Sequence, residues 1–190
     1  MFERLAARFT DYLIGKGADP QNREIYAYAV ESVISNAVSY GILLILAAVF
    51  NLVPQMLILF LFWLPLRSNW GGVHASTQAL CLVLSALFGI GSVLLSVYFI
   101  PDILFIIICL AACILLTYYF APVVHPHHPV SQERLAQVKR LVRYVILIES
   151  AAVIALYFAG LSWVSSIGFY SIGFAVLFGM LGKILNARVQ

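Results

Sequence analysis

The stretch ILFIIICLAACILLTYYF, residues 103–120, contains eighteen residues and no charged side chain. The hydrocarbon core of a bilayer is about 30 Å thick, and a helix of about 20 largely apolar residues crosses it. This stretch therefore predicts a membrane-spanning helix. The whole chain agrees, because 63% of its 190 residues are hydrophobic and 10% are charged, whereas soluble domains average about 25% charged residues. The composition predicts a polytopic membrane protein.

Five further apolar segments accompany this one. Their approximate bounds are 33–50, 52–66, 78–100, 141–160 and 163–184. The segment 52–66 is short for a span and contains two prolines, so we expect it to be tilted, kinked or only partly inserted. The sequence as a whole predicts an all-α, polytopic membrane helical bundle with about six transmembrane segments.

The N-terminal region precedes the first span and is amphipathic. The apolar residues that recur at helical spacing on one face are Phe2, Leu5, Ala6, Phe9 and Leu13. This pattern predicts a helix that lies in the membrane interface, and a helix that caps the bundle is the alternative. Because we find no internal repeat or long linker, we expect a single domain over residues 1–190. It comprises an amphipathic region at 1–31 and a transmembrane bundle at 32–190.

The positive charges fall on one side of this predicted layout. All eleven Lys and Arg residues lie in or beside the two termini and the two polar segments at 67–77 and 121–140. None lies at the turns on the opposite side. The positive-inside rule therefore predicts that both termini and both polar segments face the cytoplasm. No basic run of the kind that follows a phosphate backbone is present, so we expect no nucleic-acid partner.

The one polar interruption in the first half of the chain is RSNWGGVHASTQALC, residues 67–81. A cysteine attacks as its thiolate, and a free pKa of about 8.5 leaves only a few per cent ionised at neutral pH. A nearby imidazole can accept the thiol proton and later give it to a leaving amine. His74 and Cys81 are therefore a candidate base and nucleophile. The alternative is a solvated loop histidine and a cysteine that only packs.

The spacing of this pair suits a helix that begins between the two residues. On one unbroken helix, seven residues separate them by about 10 Å along the axis, which makes direct contact marginal. Ser76 or Thr77 is a candidate N-cap for the third span, which places Cys81 in the first turn or so. The positive end of a helix favours a thiolate, and its free N–H groups can stabilise an oxyanion.

Three further residues are supporting candidates. Arg67, at the end of a span, binds a carboxylate of a substrate or of Glu149, or it simply anchors the helix. Glu149 lies inside the fifth span, where acids are functional candidates by default. It orients His74, pairs with Arg67, or is hydrated near the interface. Gln78, at the start of the third span, completes the set.

The remaining polar groups do not favour a metal site. Three histidines share the second polar loop, at positions 125, 127 and 128, but prolines stiffen it and no acid or cysteine is adjacent. We expect no metal and no cofactor. A small transporter would need ionisable groups at mid-membrane on several helices, and this chain offers one. A non-enzymatic membrane adaptor would tolerate the loss of Cys81.

The polar stretch resembles a known motif. Read along the chain it is Arg67-x4-Gly72-x-His74-Ala75-x5-Cys81, and at the end of a membrane span it resembles the accessory gene regulator B (AgrB) peptidases. The loop APVVHPHHP, residues 121–129, is similar to the proline-rich cytoplasmic loop of that family, which more often ends in Asn-Lys-Pro. The resemblance covers essentially the whole chain, including its length, its six spans and its amphipathic N-terminus.

This resemblance implies a membrane cysteine endopeptidase that processes a small AgrD-like quorum-sensing propeptide. Carried over by position, Cys81 is the nucleophile, His74 the general base and acid, Gly72 a required backbone position and Arg67 an essential cation. Cys81 releases the C-terminal tail of the propeptide and holds the rest as a thioester. A Cys or Ser of the propeptide then closes a thiolactone or lactone ring.

The resemblance also implies the setting of the reaction. It places a homodimer, in contact with membrane lipid, in the bacterial cytoplasmic membrane, with both termini and the catalytic site in the cytoplasm. The alternative function is a non-enzymatic membrane adaptor or a small peptide transporter.

Overall fold

The protein is helical throughout the ranges that this computed structural model describes, residues 2–70, 78–123 and 131–187. The helices are α1 (Phe2–Gly15), a 3-10 turn (Pro20–Asn22), α2 (Arg23–Val49), α3 (Val53–Trp70), α4 (Gln78–Tyr98), α5 (Ile103–Phe120), α6 (Gln132–Phe158) and α7 (Ser162–Ala187). Because these ranges contain no strand, the all-α prediction is confirmed.

Each of the six predicted apolar segments coincides with one of the helices α2 to α7. The bounds of α5 are those predicted, and α4 is described from Gln78, the residue at which the third segment was predicted to begin. By contrast, α2 begins at Arg23 and α6 at Gln132, well ahead of the predicted 33 and 141. Hydropathy marks where a helix is apolar, whereas its backbone hydrogen bonds continue through polar turns on either side.

Four helices within the described ranges are long and apolar enough to cross a membrane. They are Pro20–Val49, Ile103–Phe120, Gln132–Phe158 and Ser162–Ile184. The helix α3 has 18 residues and carries Pro65 and Arg67 in its second half. An all-α membrane bundle is therefore confirmed, while the count of six spans stays a prediction.

The chain forms two compact units, residues 1–49 and residues 50–190. In the first unit α1 lies against α2. Ala6 and Thr10 of α1 are buried, so α1 is not a free amphipathic helix. Its exposed large apolar residues are Leu5, Phe9 and Tyr12. These exposed residues form the apolar surface that an interfacial helix needs, and the single-domain arrangement stays a prediction.

The second unit, which we call the bundle, is built around α7. This helix contacts each of α3, α4, α5 and α6. Trp70 near the end of α3 lies by Gly179 of α7, while Phe62 lies by Gly168, so α3 and α7 run in the same direction. Thr117, near the end of α5, accepts a hydrogen bond from Trp70. The end of the bundle at which α3, α5 and α7 terminate is called the Trp70 end below.

Two glycines of α7 permit close helix contacts at different levels. A Cβ atom at Gly168 would lie 2.8 Å from Val153 Cγ2 of α6 and 3.1 Å from Phe62 Cζ of α3. A Cβ atom at Gly179 would overlap the six-membered ring of Trp70. At Gly173, between them, a Cβ would meet nothing within 4 Å. The bundle therefore depends on small residues at 168 and 179, as membrane helix interfaces commonly do.

The substitution Gly179→Ala should destabilise the bundle by about 1–3 kcal/mol, because the added methyl group forces the buried indole of Trp70 to move. Gly173→Ala, which adds the same methyl group to the same helix, is the matched control and should leave stability unchanged. Thermal unfolding of both variants in detergent micelles checks this prediction. Equal midpoints for the two variants would contradict the packing of Trp70 on Gly179.

Candidate functional site

The predicted site residues are described to different extents. The structure describes the side chains of Arg67 and Glu149 and the helical backbone of Gln78 and Cys81. The predictions for Gly72 and His74 lie outside the described residues, as do those for the candidate caps Ser76 and Thr77 and for the three loop histidines.

The backbone of Cys81 is helical. Cys81 is the fourth described residue of α4, which is described from Gln78 onwards, and its place in a first turn stays a prediction. The first four N–H groups of a helix have no partner within the helix and carry its positive end. A thiolate is favoured beside such groups, and an oxyanion that forms on an acyl carbon can accept hydrogen bonds from them.

Trp70 is held in the bundle through both its side chain and its backbone. Trp70 is fully buried, and its indole Nε1 donates a hydrogen bond of 2.9 Å to Thr117 Oγ1 of α5. The backbone N–H of Val123 donates to the carbonyl oxygen of Trp70 at 2.9 Å. Val123 is the third residue of the proline-rich loop that follows α5. Trp70, in the first polar stretch, is thus bonded to the start of the second polar loop.

Arg67 lies where α3, α4 and α7 meet. Its guanidinium carbon is 5.6 Å from the ring centroid of Phe178 on α7, in a cation–π contact. The same ring is 4.4 Å from the ring of Phe88 on α4 and 5.9 Å from Trp63 on α3. Phe88 is seven residues, about 10 Å along the helix, from Cys81. The predicted cation is therefore connected through one aromatic ring to the helix that carries the predicted nucleophile.

Glu149 is buried inside the bundle, with 8% of its surface exposed. Neither of its carboxylate oxygens has a hydrogen-bond partner among the described residues, and neither does the hydroxyl of its neighbour Ser150. Its helix α6 packs against α3, α5 and α7, whereas α4 packs against α3 and α7. Burial of a carboxyl group without a hydrogen-bond partner is costly, so Glu149 stays a functional candidate. Its helix α6 and the helix of Cys81, α4, both pack against α3 and α7.

Two further cations were not singled out from the sequence. Arg143 of α6 lies 4.6 Å from the ring centroid of Tyr118 and donates Nη2–H to the Tyr118 carbonyl oxygen at 3.2 Å. Lys183 of α7 lies 4.8 Å from the ring centroid of Phe120. Both rings belong to the last turn of α5. The sequence placed these charges at one side of the membrane, but it held no signal for the aromatic ring on which each one lies.

No group of three or more His, Cys, Asp or Glu residues in the described ranges could hold a metal ion. Among the described residues, Cys81 lies on α4, and the cation Arg67 lies on α3, which packs against α4.

A family model described as accessory gene regulator B, AgrB, matches residues 6–184 of the chain. The match runs from α1 into α7 and includes every predicted site residue. No curated protein and no solved structure gives a match. Since the model covers nearly the whole chain, the protein belongs to the AgrB family of membrane proteins, which process an autoinducer propeptide in the agr quorum-sensing system.

Proposed function

We propose that this protein is a membrane cysteine endopeptidase that removes the C-terminal tail of an AgrD-like propeptide and promotes cyclisation of the remainder. The observation that carries the proposal is the helical backbone of Cys81 on α4, which packs against α3, the helix of Arg67. We place the start of α4 just ahead of Cys81, where a helix end favours the thiolate. The family match supports a propeptide as the substrate.

The proposed reaction has two acyl-transfer steps. His74 accepts the proton of the Cys81 thiol, and the thiolate attacks the carbonyl carbon of the scissile peptide bond. When the C–N bond breaks, His74 gives the proton to the leaving amine, and the remaining peptide is held as a thioester. A Cys or Ser within the propeptide then attacks the thioester, forms the thiolactone or lactone, and releases Cys81 as a thiol.

The supporting residues have distinct proposed roles. Arg67, held on the Phe178 ring beside α4, binds a carboxylate of the propeptide. Gly72 allows the chain to turn back, and the side-chain amide of Gln78 adds a donor beside the free N–H groups of α4. Glu149 supports Arg67 or His74 from the α6 side of α3.

The proposed membrane setting serves the second acyl transfer. A thioester that waits for an internal nucleophile must avoid hydrolysis, and a site walled by Trp63 and Trp70 excludes water. Both indoles are buried in the bundle. We place the Trp70 end at the cytoplasmic face of the bacterial membrane, where the positive-inside rule puts the cations. An amphipathic propeptide in the membrane interface is thereby delivered at the right depth, and we propose that the protein acts as a homodimer.

Co-expression of the chain with a cognate propeptide, followed by mass spectrometry of the peptides, tests this function. The wild-type protein should release the C-terminal tail and carry an acyl adduct on Cys81. Cys81→Ser should abolish both, and His74→Ala should slow tail release by about 10²–10⁴-fold, the usual contribution of a general acid–base.

The control for these variants is Cys109→Ser, which makes the same substitution at a free thiol of α5. It should process the propeptide at the wild-type rate. Undiminished tail release by folded Cys81→Ser protein would refute the peptidase and leave an adaptor or a peptide transporter.

Replacement of the cation at 67 should weaken processing through substrate binding. Arg67→Met removes a charge-assisted hydrogen bond to the propeptide, which corresponds to a loss of about 10- to 150-fold. Arg67→Lys keeps the charge without the planar fork and should be intermediate. The rate of tail release at increasing propeptide levels is the measurement, and Arg140→Met on α6 is the control. Wild-type kinetics in Arg67→Met would exclude the role.

The acid at 149 is tested by Glu149→Gln, which keeps the side-chain volume and removes the carboxyl. We expect tail release to fall at least about tenfold, because a supporting acid acts through its charge or its proton. Thermal unfolding of the same variant shows whether the bundle stays intact. Full activity in a folded Glu149→Gln protein would assign the residue to packing alone.

A further inference from the structure

We propose that the groove between α5 and α6 at the Trp70 end binds the headgroup of an anionic phospholipid. In this site Arg143 and Lys139 of α6 bind the phosphate, and an acyl chain lies against Leu115 and Leu147, further into the membrane. The site goes beyond the propeptide chemistry, and it stands whether or not the protein is a peptidase.

The guanidinium of Arg143 is held at the end of α5 by two contacts. Its central carbon lies 4.6 Å from the ring centroid of Tyr118, and Nη2 donates a hydrogen bond of 3.2 Å to the Tyr118 carbonyl oxygen. A guanidinium carries five N–H donors, and this bond uses one of them. The group is therefore oriented in advance, with its charge intact, for the oxygen atoms of a phosphate.

The cations in this part of α6 have no acidic neighbour along the chain. The stretch RLAQVKRLVRYVILI, residues 134–148, contains four Lys or Arg residues and no Asp or Glu. Lys139 is exposed and precedes Arg143 by four residues, so the two side chains lie on the same face of the helix. Two adjacent cations without an acid in their own stretch complement an anionic headgroup.

The groove continues into the bilayer as an apolar surface. From Arg143 to Val153, α6 runs away from the Trp70 end, antiparallel to α5. Leu147, one turn after Arg143, and Leu115, in the turn of α5 before the contact, therefore lie at a similar depth. Their side chains are 40% and 59% exposed. An acyl chain can thus pack on these leucines while its phosphate meets the guanidinium.

The position of the groove favours a lipid over the propeptide. The helix of Cys81, α4, packs against α3 and α7, whereas the groove lies between α5 and α6. The rings next to the cation, Tyr118 and Tyr144, are 38% and 57% exposed. Exposed tyrosines beside cations are typical of the level of the lipid headgroups. A phospholipid therefore reaches the groove directly from the bilayer.

Thermal unfolding of the whole chain in a neutral detergent, titrated with phosphatidylglycerol, tests the site. A lipid that binds the folded protein raises the unfolding midpoint as its concentration rises. Phosphatidylcholine with the same acyl chains has no net charge and is the lipid control, while inorganic phosphate is the control for an anion without acyl chains. Arg134→Met is the control variant, because it removes the same charge from the exposed start of α6, about 13 Å along the helix from Arg143.

We expect phosphatidylglycerol, and neither control compound, to stabilise the wild-type protein. In Arg143→Met the lipid concentration that gives half of the full effect should rise about tenfold or more. Tyr118→Phe keeps the ring and the backbone carbonyl and should match the wild type, whereas Tyr118→Leu should weaken binding about two- to fivefold. Arg134→Met should bind the lipid like the wild type.

Several outcomes would overturn the site. Equal phosphatidylglycerol binding by the wild type and Arg143→Met is one, and an equal loss in Arg134→Met, which would show diffuse attraction, is another. Equal stabilisation by inorganic phosphate would show an anion site without a lipid. Loss of tail release in an Arg143→Met protein that still binds phosphatidylglycerol would assign the cation to the propeptide instead.

Two other variants decide the question if Arg143→Met does not fold. Lys139→Met changes an exposed residue and should weaken phosphatidylglycerol binding about fivefold, the usual contribution of one cation near an anionic lipid surface. Tyr118→Leu removes the ring that holds the guanidinium. Unchanged binding in both variants would overturn the inference.

Discussion

The hydrogen bond from Trp70 Nε1 to Thr117 Oγ1 is the interaction on which the register of α3 against α5 depends. The rest of the bundle is held largely by apolar side chains, which pack with little preference for one register over a neighbouring one. A buried donor with a single acceptor allows one register only, since a shift of one helical residue would leave the indole N–H unpaired in a water-poor interior. The end of α3, and with it the start of the polar stretch, is thereby fixed against α5.

The helix α7 makes this register possible and connects it to α4. Gly179 leaves room for the Trp70 ring. The preceding residue, Phe178, makes a cation–π contact with Arg67 and an edge-to-face contact with Phe88 of α4. Two adjacent residues of α7 therefore contact the end of α3: Gly179 packs on Trp70, and Phe178 contacts Arg67. A guanidinium near a membrane is costly to bury in hydrocarbon alone. The aromatic ring offsets part of that cost.

The sequence predicted most of the helices and little of their pairing. The bounds of α5 followed from an apolar run beside polar residues, and so did the helical backbone of Cys81. The early start of α6 at Gln132 did not, because its first turns are polar and carry no apolar signal. The sequence also could not predict that Gly179 packs on Trp70 while a Cβ atom at Gly173 would contact no described residue, since the presence of a glycine does not show which face of a helix contacts an indole. The partner of Trp70, 47 residues away, is a tertiary fact with no local signature.

The packing of the helices also bears on which of two predicted partners Arg67 binds. The sequence allowed Arg67 to bind either Glu149 or a carboxylate of the substrate. In the bundle, α3 lies against both α4 and α6, and the ring on which Arg67 lies also contacts α4. Glu149 on α6 has both oxygens without a hydrogen-bond partner among the described residues, so the two charged groups are not joined by such a bond. Because the ring that Arg67 contacts also contacts α4, Arg67 lies towards the helix of Cys81 and makes no hydrogen bond to Glu149. That position supports the proposed binding of a substrate carboxylate.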